Sequence, residues 1–126
     1  MLKTKKEDNT PVDPTDPESL KEAGNKAFAK KELKKAVDYF TQAIELTTEK
    51  PNHIYFANRA FAYLQMGLLV KCIADCNMAI NIDPDFPKSY YRKARAQIGM
   101  QNIKAALETL DVGLEKCPGN EDLVMM

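Results

Sequence analysis

Apolar residues recur at helical spacing along most of the chain, in segments of about 12–15 residues separated by short polar breaks. The breaks stand near Lys31-Glu32, Gly67 and Gln101-Asn102, and proline-marked ones follow at Thr47-Thr48-Glu49-Lys50-Pro51, Pro84 and Pro118. The pattern predicts six helices near 17–30, 33–47, 52–65, 69–82, 86–100 and 102–116. Asp16, Pro17 and Glu18 supply an N-cap, a proline at the first helical position and a first-turn acid, so ordered structure is expected to begin there. Residues 1–16 hold only Met1, Leu2 and Val12 as large apolar groups among mixed charges, which predicts a disordered, solvated leader. The tail from Pro118 to Met126 reads as a cap followed by a short or truncated seventh helix.

The segments repeat. Pro84 and Pro118 are 34 residues apart, and Phe56/Tyr90, Ala60/Ala94, Leu69/Ile103, Cys72/Ala106, Cys76/Leu110 and Ala79/Gly113 pair at the same offset. A third copy lies upstream at an offset of 36, with Gly24, Leu33, Ala36, Phe40 and Ala43 in the corresponding places. The two extra residues fall in the 47–51 loop, where an insertion costs little. Each unit is a helix–turn–helix, at about 17–52, 53–86 and 87–118, within one all-α domain spanning 17–126. Small residues (Gly24, Ala36, Ala43, Ala60, Ala79, Ala94, Ala106) let paired helices approach, while Phe40, Tyr63, Leu69 and Leu110 fill the layer between them.

Composition narrows the function class. A chain of 126 residues that is 44% hydrophobic and 29% charged suits one globular domain. Eighteen basic and eighteen acidic residues cancel, so any positive binding site must be local, and neither nucleic acid nor a membrane is expected as partner. Met1 to Asp8 has no apolar signal region, and no apolar run approaches the roughly 18–20 residues of a membrane span. Cys72, Cys76 and Cys117 form an odd set without paired spacing, which favours a reducing compartment: the cytoplasm, with the nucleus as the alternative.

The 34-residue period with its alternation of small and large positions resembles the tetratricopeptide repeat over residues 17–118, although Leu20, Phe56 and Tyr90 stand where that family's signature has Trp. The resemblance implies three tandem repeats in a right-handed superhelix, with the first helix of each unit lining a concave face. On those helices stand Lys21 and Asn25, Asn58, and Lys88 and Arg92. Each same-helix pair is four residues apart and shares a face, and Asn58 and Arg92 are one 34-residue period apart. The strings Leu20-Lys21-Glu22-Ala23-Gly24-Asn25-Lys26, Tyr55-Phe56-Ala57-Asn58-Arg59-Ala60 and Lys88-Ser89-Tyr90-Tyr91-Arg92-Lys93-Ala94 are similar to the carboxylate-clamp repeat domains of co-chaperones. These include the Hsp-organising protein, a serine/threonine phosphatase and large immunophilins. The resemblance implies clamping of the C-terminal Glu-Glu-Val-Asp tail of heat-shock protein 90 or 70 by Lys21, Asn25, Asn58, Lys88 and Arg92. The chemistry fits: a C-terminal Asp carries two carboxylates, which cations and amide donors can satisfy with charge-assisted hydrogen bonds. Helical spacing puts Phe28, Phe61 and Leu64 beside Asn25 and Asn58, as candidates to receive an apolar ligand residue.

Blander readings compete. A single Lys or Arg on a helix is usually solvated surface, so the weight rests on joint occurrence at matched offsets. Lys88 and Arg92 are read as exposed positions whose truncation leaves stability nearly unchanged. Cys72 and Cys76 could share a helix face for a metal, but only His53 and Cys117 remain to complete four ligands, so buried free thiols are the better reading and neither metal nor cofactor is expected. His53 has no nucleophile or acid at a recognisable spacing. Met66, Met78, Met100, Met125 and Met126 could form an adaptable surface, but most are read as core or turn filling. No phosphate loop, paired-carboxylate motif or basic–aromatic stripe is present, so no enzyme chemistry is expected. The leading reading is a monomeric peptide-binding co-chaperone adaptor. The alternatives are a scaffold that grips an internal segment of an assembly partner, and a regulatory domain of a larger phosphatase or prolyl isomerase.

Overall fold

The structure is a computed structural model that describes residues 11–124. Six helices form three antiparallel pairs: α1 (Pro17–Ala29) with α2 (Leu33–Leu46), α3 (His53–Gln65) with α4 (Leu69–Ile82), and α5 (Pro87–Gly99) with α6 (Ile103–Lys116). One further turn, α7 (Glu121–Val124), follows, and the described residues contain no strand. Each observed boundary lies within one residue of the expected one. Side-chain caps explain several of these starts: Asp16, Asn52 and Asn102 accept from Glu18 N, Ile54 N and Ala105 N at 3.2, 2.8 and 3.2 Å.

The three turns inside the pairs share one solution. Lys31, Gly67 and Gln101, equivalent by the 36- and 34-residue offsets, each adopt a left-handed conformation with φ of 65, 77 and 63°. Of the three, only Gly67 is free of Cβ strain there.

Each helix packs on its neighbours in the chain, first helices also pack on the first helices of adjacent pairs, and the backbones of the first pair stay apart from α5 and α6. The small positions are buried at every interface: Ala36, Ala43, Ala60, Ala79 and Ala94 are fully buried. A Cβ on Gly24 would run into the Phe40 ring, which explains a helical glycine despite its propensity cost. Cys72 and Cys76 are buried, with their sulfurs 4.0 Å apart. Their hydrogen bond and burial push the Cys76 thiol far above its ordinary range. Leu123 of α7 is buried against Tyr90, Ala94, Ala106 and Leu110, so one turn closes part of the open α6 face.

Two expectations need amendment, and others fall outside the described residues. Residues 1–10 of the anticipated leader lie outside the described residues, as do Met125 and Met126. Residues 11–16 are exposed, yet Asp13 accepts from Thr15 N and Oγ1 at 2.9 and 2.7 Å, and its own N–H donates to Ser19 Oγ, so this stretch is a hydrogen-bonded turn leading into α1. Met78 fills neither core nor turn: it is 44% exposed on α4.

Candidate functional site

Because the first helices of adjacent pairs pack side by side, their side chains converge on one cavity of about 500 Å³. Lys21, Asn25 and Phe28 reach it from α1, Ile54, Asn58 and Phe61 from α3, and Lys88 and Arg92 from α5; Phe40 and Phe86 complete it. All the expected polar positions therefore line a single groove. Of the apolar candidates, Phe28 and Phe61 line it and Leu64 does not. Leu64, one turn further along α3 than Phe61, packs instead against the buried cluster of Ala60, Cys72, Cys76 and Ala96.

The floor is a stack. The Phe28 and Phe61 rings lie 4.9 Å apart, tilted by 30°, and the Arg92 guanidinium sits 4.3 Å from the centroid of Phe61. Arg92 Nη1 also donates to Ala57 O at 2.8 Å. Arg92 is only 8% exposed, which corrects its reading as an exposed position. Burial lowers its pKa from the ordinary arginine value. No acid among the described residues forms an ion pair with Arg92 or with the exposed Lys88. A neighbouring cavity of about 140 Å³ is shared by Phe61, Pro87, Lys88, Tyr91, Arg92 and Asp122.

The two asparagines meet across the helices, Asn58 Nδ2 donating to Asn25 Oδ1 at 3.4 Å, a long bond that leaves most of their donors available. Lys21 is held differently: its Nζ is 3.0 Å from Glu18 Oε1, while Glu18 Oε2 accepts from the Tyr55 hydroxyl at 2.6 Å. Sequence reasoning missed Glu18 as a site residue, since it reads there as an ordinary first-turn acid. It also missed Ile54, Phe40 and Phe86. Phe86 caps α5 and stacks edge-on against His53 at 4.7 Å, while His53 Nε2 lies 3.4 Å from Asp83. The 36-residue offset, which sets Glu18 opposite Ile54 and beside Tyr55, is the one signal that could have drawn attention to the Glu18 contact. No group of three or more His, Cys, Asp or Glu suited to a metal occurs among the described residues. Nor is any helix there long and apolar enough to cross a membrane.

No family model matches the chain. Serine/threonine-protein phosphatase T of Aspergillus oryzae is 38% identical over 104 residues, which is 82% of this chain and 21% of the phosphatase. The chain thus spans about a fifth of such curated relatives. Among solved structures, the complex of the TPR2B domain of yeast Sti1 with pHsp70 superposes with a TM-score of 0.75 at 37% identity, covering 79% of this chain and 78% of that one. The complex of the TPR2AB domain of yeast Sti1 with pHSP90 gives 0.77 at 36% identity, covering 90% and 43%. With three pairs of helices in register and 37% identity over more than three quarters of both chains, the chain belongs to the tetratricopeptide-repeat family, in the co-chaperone branch that includes Sti1.

Proposed function

We propose that this chain is a co-chaperone adaptor domain that binds the C-terminal Glu-Glu-Val-Asp tail of heat-shock protein 70 or 90 and catalyses nothing itself. The observation that carries this reading is Arg92: a nearly buried guanidinium, opening onto a groove, with no acid of the described chain to pair it. A buried charge is costly unless an opposite charge meets it, and a carboxylate arriving in the groove supplies one. Lys88 and Lys21 extend the positive site along both walls, while Asn25 and Asn58 offer amide donors between them. Phe28 and Phe61 give the residues upstream of the tail an apolar floor. Sti1, whose complexes with pHsp70 and pHSP90 superpose on this chain, supports the choice of ligand. The cytosol, where no disulfide is needed, suits its free cysteines.

A regulatory role beside a catalytic domain is the second reading, favoured by the match to phosphatase T over a fifth of that enzyme. It changes the parent protein and leaves the groove chemistry as it is.

The test is a titration with Met-Glu-Glu-Val-Asp and Ile-Glu-Glu-Val-Asp peptides as free acids and as C-terminal amides. Each charged hydrogen bond is worth about 1.5–3 kcal/mol, so amidation should weaken binding at least about tenfold. Lys104→Ala, on α6 and outside the groove, should bind as the parent does. Equal affinity for acid and amide would overturn the reading in favour of a scaffold that grips internal segments.

A further inference from the structure

We propose that Glu18 is a built-in competitor for the acidic ligand, a fixed carboxylate that shares Lys21 with the incoming tail and lowers the groove's affinity for anionic peptides. The proposal rests on the reading of Lys21 as a ligand-binding cation. Its geometric basis is the pair of contacts that use both oxygens of one carboxylate, 2.6 Å to the Tyr55 hydroxyl and 3.0 Å to the Lys21 ammonium.

Tyr55 is the anchor. It is 3% exposed on α3, and its hydroxyl donates a short bond to a partner 37 residues away in the chain. Glu18 cannot swing into solvent without leaving that buried hydroxyl unsatisfied. Its side chain is nonetheless 55% exposed, and its charge bears on the groove through Lys21, which lines the cavity. The Tyr55 hydroxyl, and after it Lys21, hold the Glu18 carboxyl below the usual carboxylate range, which keeps it ionised at neutral pH.

Two effects on a ligand oppose each other. Glu18 restrains Lys21, which spares the ligand part of the ordering cost of a long side chain. It also places a negative charge on the far side of the same ammonium. The restraint acts once, on one side chain. The repulsion acts on each ligand carboxylate that comes within the screening length of about 8 Å. For a tail with several acidic groups the repulsion wins, so Glu18 attenuates binding and penalises ligands in proportion to their negative charge.

Glu18→Gln removes the charge and keeps an oxygen that can accept from Tyr55. Its affinity for the free-acid peptide Met-Glu-Glu-Val-Asp should rise about three- to tenfold. The gain should shrink for Met-Gln-Gln-Val-Asp and in high salt. Glu22→Gln makes the same charge change one turn along α1, on the face that lines a different cavity with Ser19 and Lys26, and should alter affinity less than about twofold. Glu18→Ser repeats the charge removal and carries the same expectation, should the Gln variant fold poorly. Unchanged or weaker binding by a natively melting Glu18 variant, while Lys21→Ala loses binding, overturns the competitor role and leaves the clamp reading intact. Absence of binding by the unmutated chain overturns both.

Discussion

Arg92 and Lys88 look alike in the sequence, four residues apart on one helix, and the structure separates them. Lys88 is exposed and tied to no acid of the described chain; Arg92 is 8% exposed, stacked on Phe61 and bonded to Ala57 O. Lys88→Ala should therefore abolish or strongly weaken tail binding with less than about 0.5 kcal/mol change in stability. Arg92→Ala should lose binding and also cost about 1–2 kcal/mol, since the Phe61 face and the packing of the guanidinium go with it. Urea unfolding of both variants checks this, and equal midpoints would contradict the buried placement. The neighbouring Ser89 makes the opposite case. Its hydroxyl is fully buried in the first turn of α5 and has no hydrogen-bond partner among the described residues. Ser89→Ala removes an unsatisfied polar atom, so the denaturation midpoint should rise by the equivalent of about 1 kcal/mol. A fall would mean that the hydroxyl is satisfied in solution.

At the scale of the helical element, the repeat period found the helices and their turns because turn geometry is local: three breaks in the apolar pattern became three left-handed residues at equivalent positions. Only the middle turn uses glycine. A non-glycine residue there costs about 1–2 kcal/mol of Cβ strain, so Gln101→Gly should stabilise the domain by about 0.5–1 kcal/mol after the extra unfolded-state entropy of glycine is deducted. Gly67→Gln should do the reverse. Thermal melts of the two variants are the check, and a destabilised Gln101→Gly would show that the Gln101 side chain makes compensating contacts. Legibility fades as contacts become less local. Lys21, Asn25, Asn58, Lys88 and Arg92 could be aligned by offset alone, and the structure sets them around one cavity. The burial of Arg92, the packing of Leu64 between helices and the Glu18–Tyr55 bond depend on how one helix is set against the next, which periodicity does not specify.

Across the whole molecule, zero net charge conceals a separation that the antiparallel pairing creates. The turns inside the pairs gather Lys30, Lys31, Lys34, Lys35, Lys71 and Lys104 at one end against Glu32, while Asp13, Asp16, Glu18, Glu45, Glu49, Asp83 and Asp85 outnumber Lys21, Lys50, Lys88 and Lys116 at the other. Lys21 and Lys88 are positive points within the acidic end, which is why their local geometry counts for more than any global field. Holding them in register falls to contacts between neighbouring pairs, since the backbones of the first pair stay apart from those of the third. One such contact hangs on a fork inside the second pair: Arg59 Nε and Nη2 of α3 donate to the Asp75 carboxylate of α4 at 2.7 and 2.8 Å, and the guanidinium so held crosses to the first pair, where Nη1 donates to Thr41 Oγ1 of α2 at 3.0 Å. Asp75 is 5% exposed and the Arg59 side chain 19%, with the Phe56 and Tyr63 rings beside it, so removing the acid leaves a half-buried guanidinium without its counter-charge. Asp75→Ala should cost about 3–5 kcal/mol and lower Tm by about 10–20 °C. Arg59 follows Asn58 directly on α3, and its Thr41 bond ties α3 to the pair that carries Lys21 and Asn25, so loosening the fork frees Asn58 to shift against them. Below its melting point, Asp75→Ala should therefore also bind the tail several-fold more weakly, whereas Ser89→Ala, which leaves the fork intact, should not. A folded Asp75→Ala variant with parental affinity would show that the groove keeps its register without the fork.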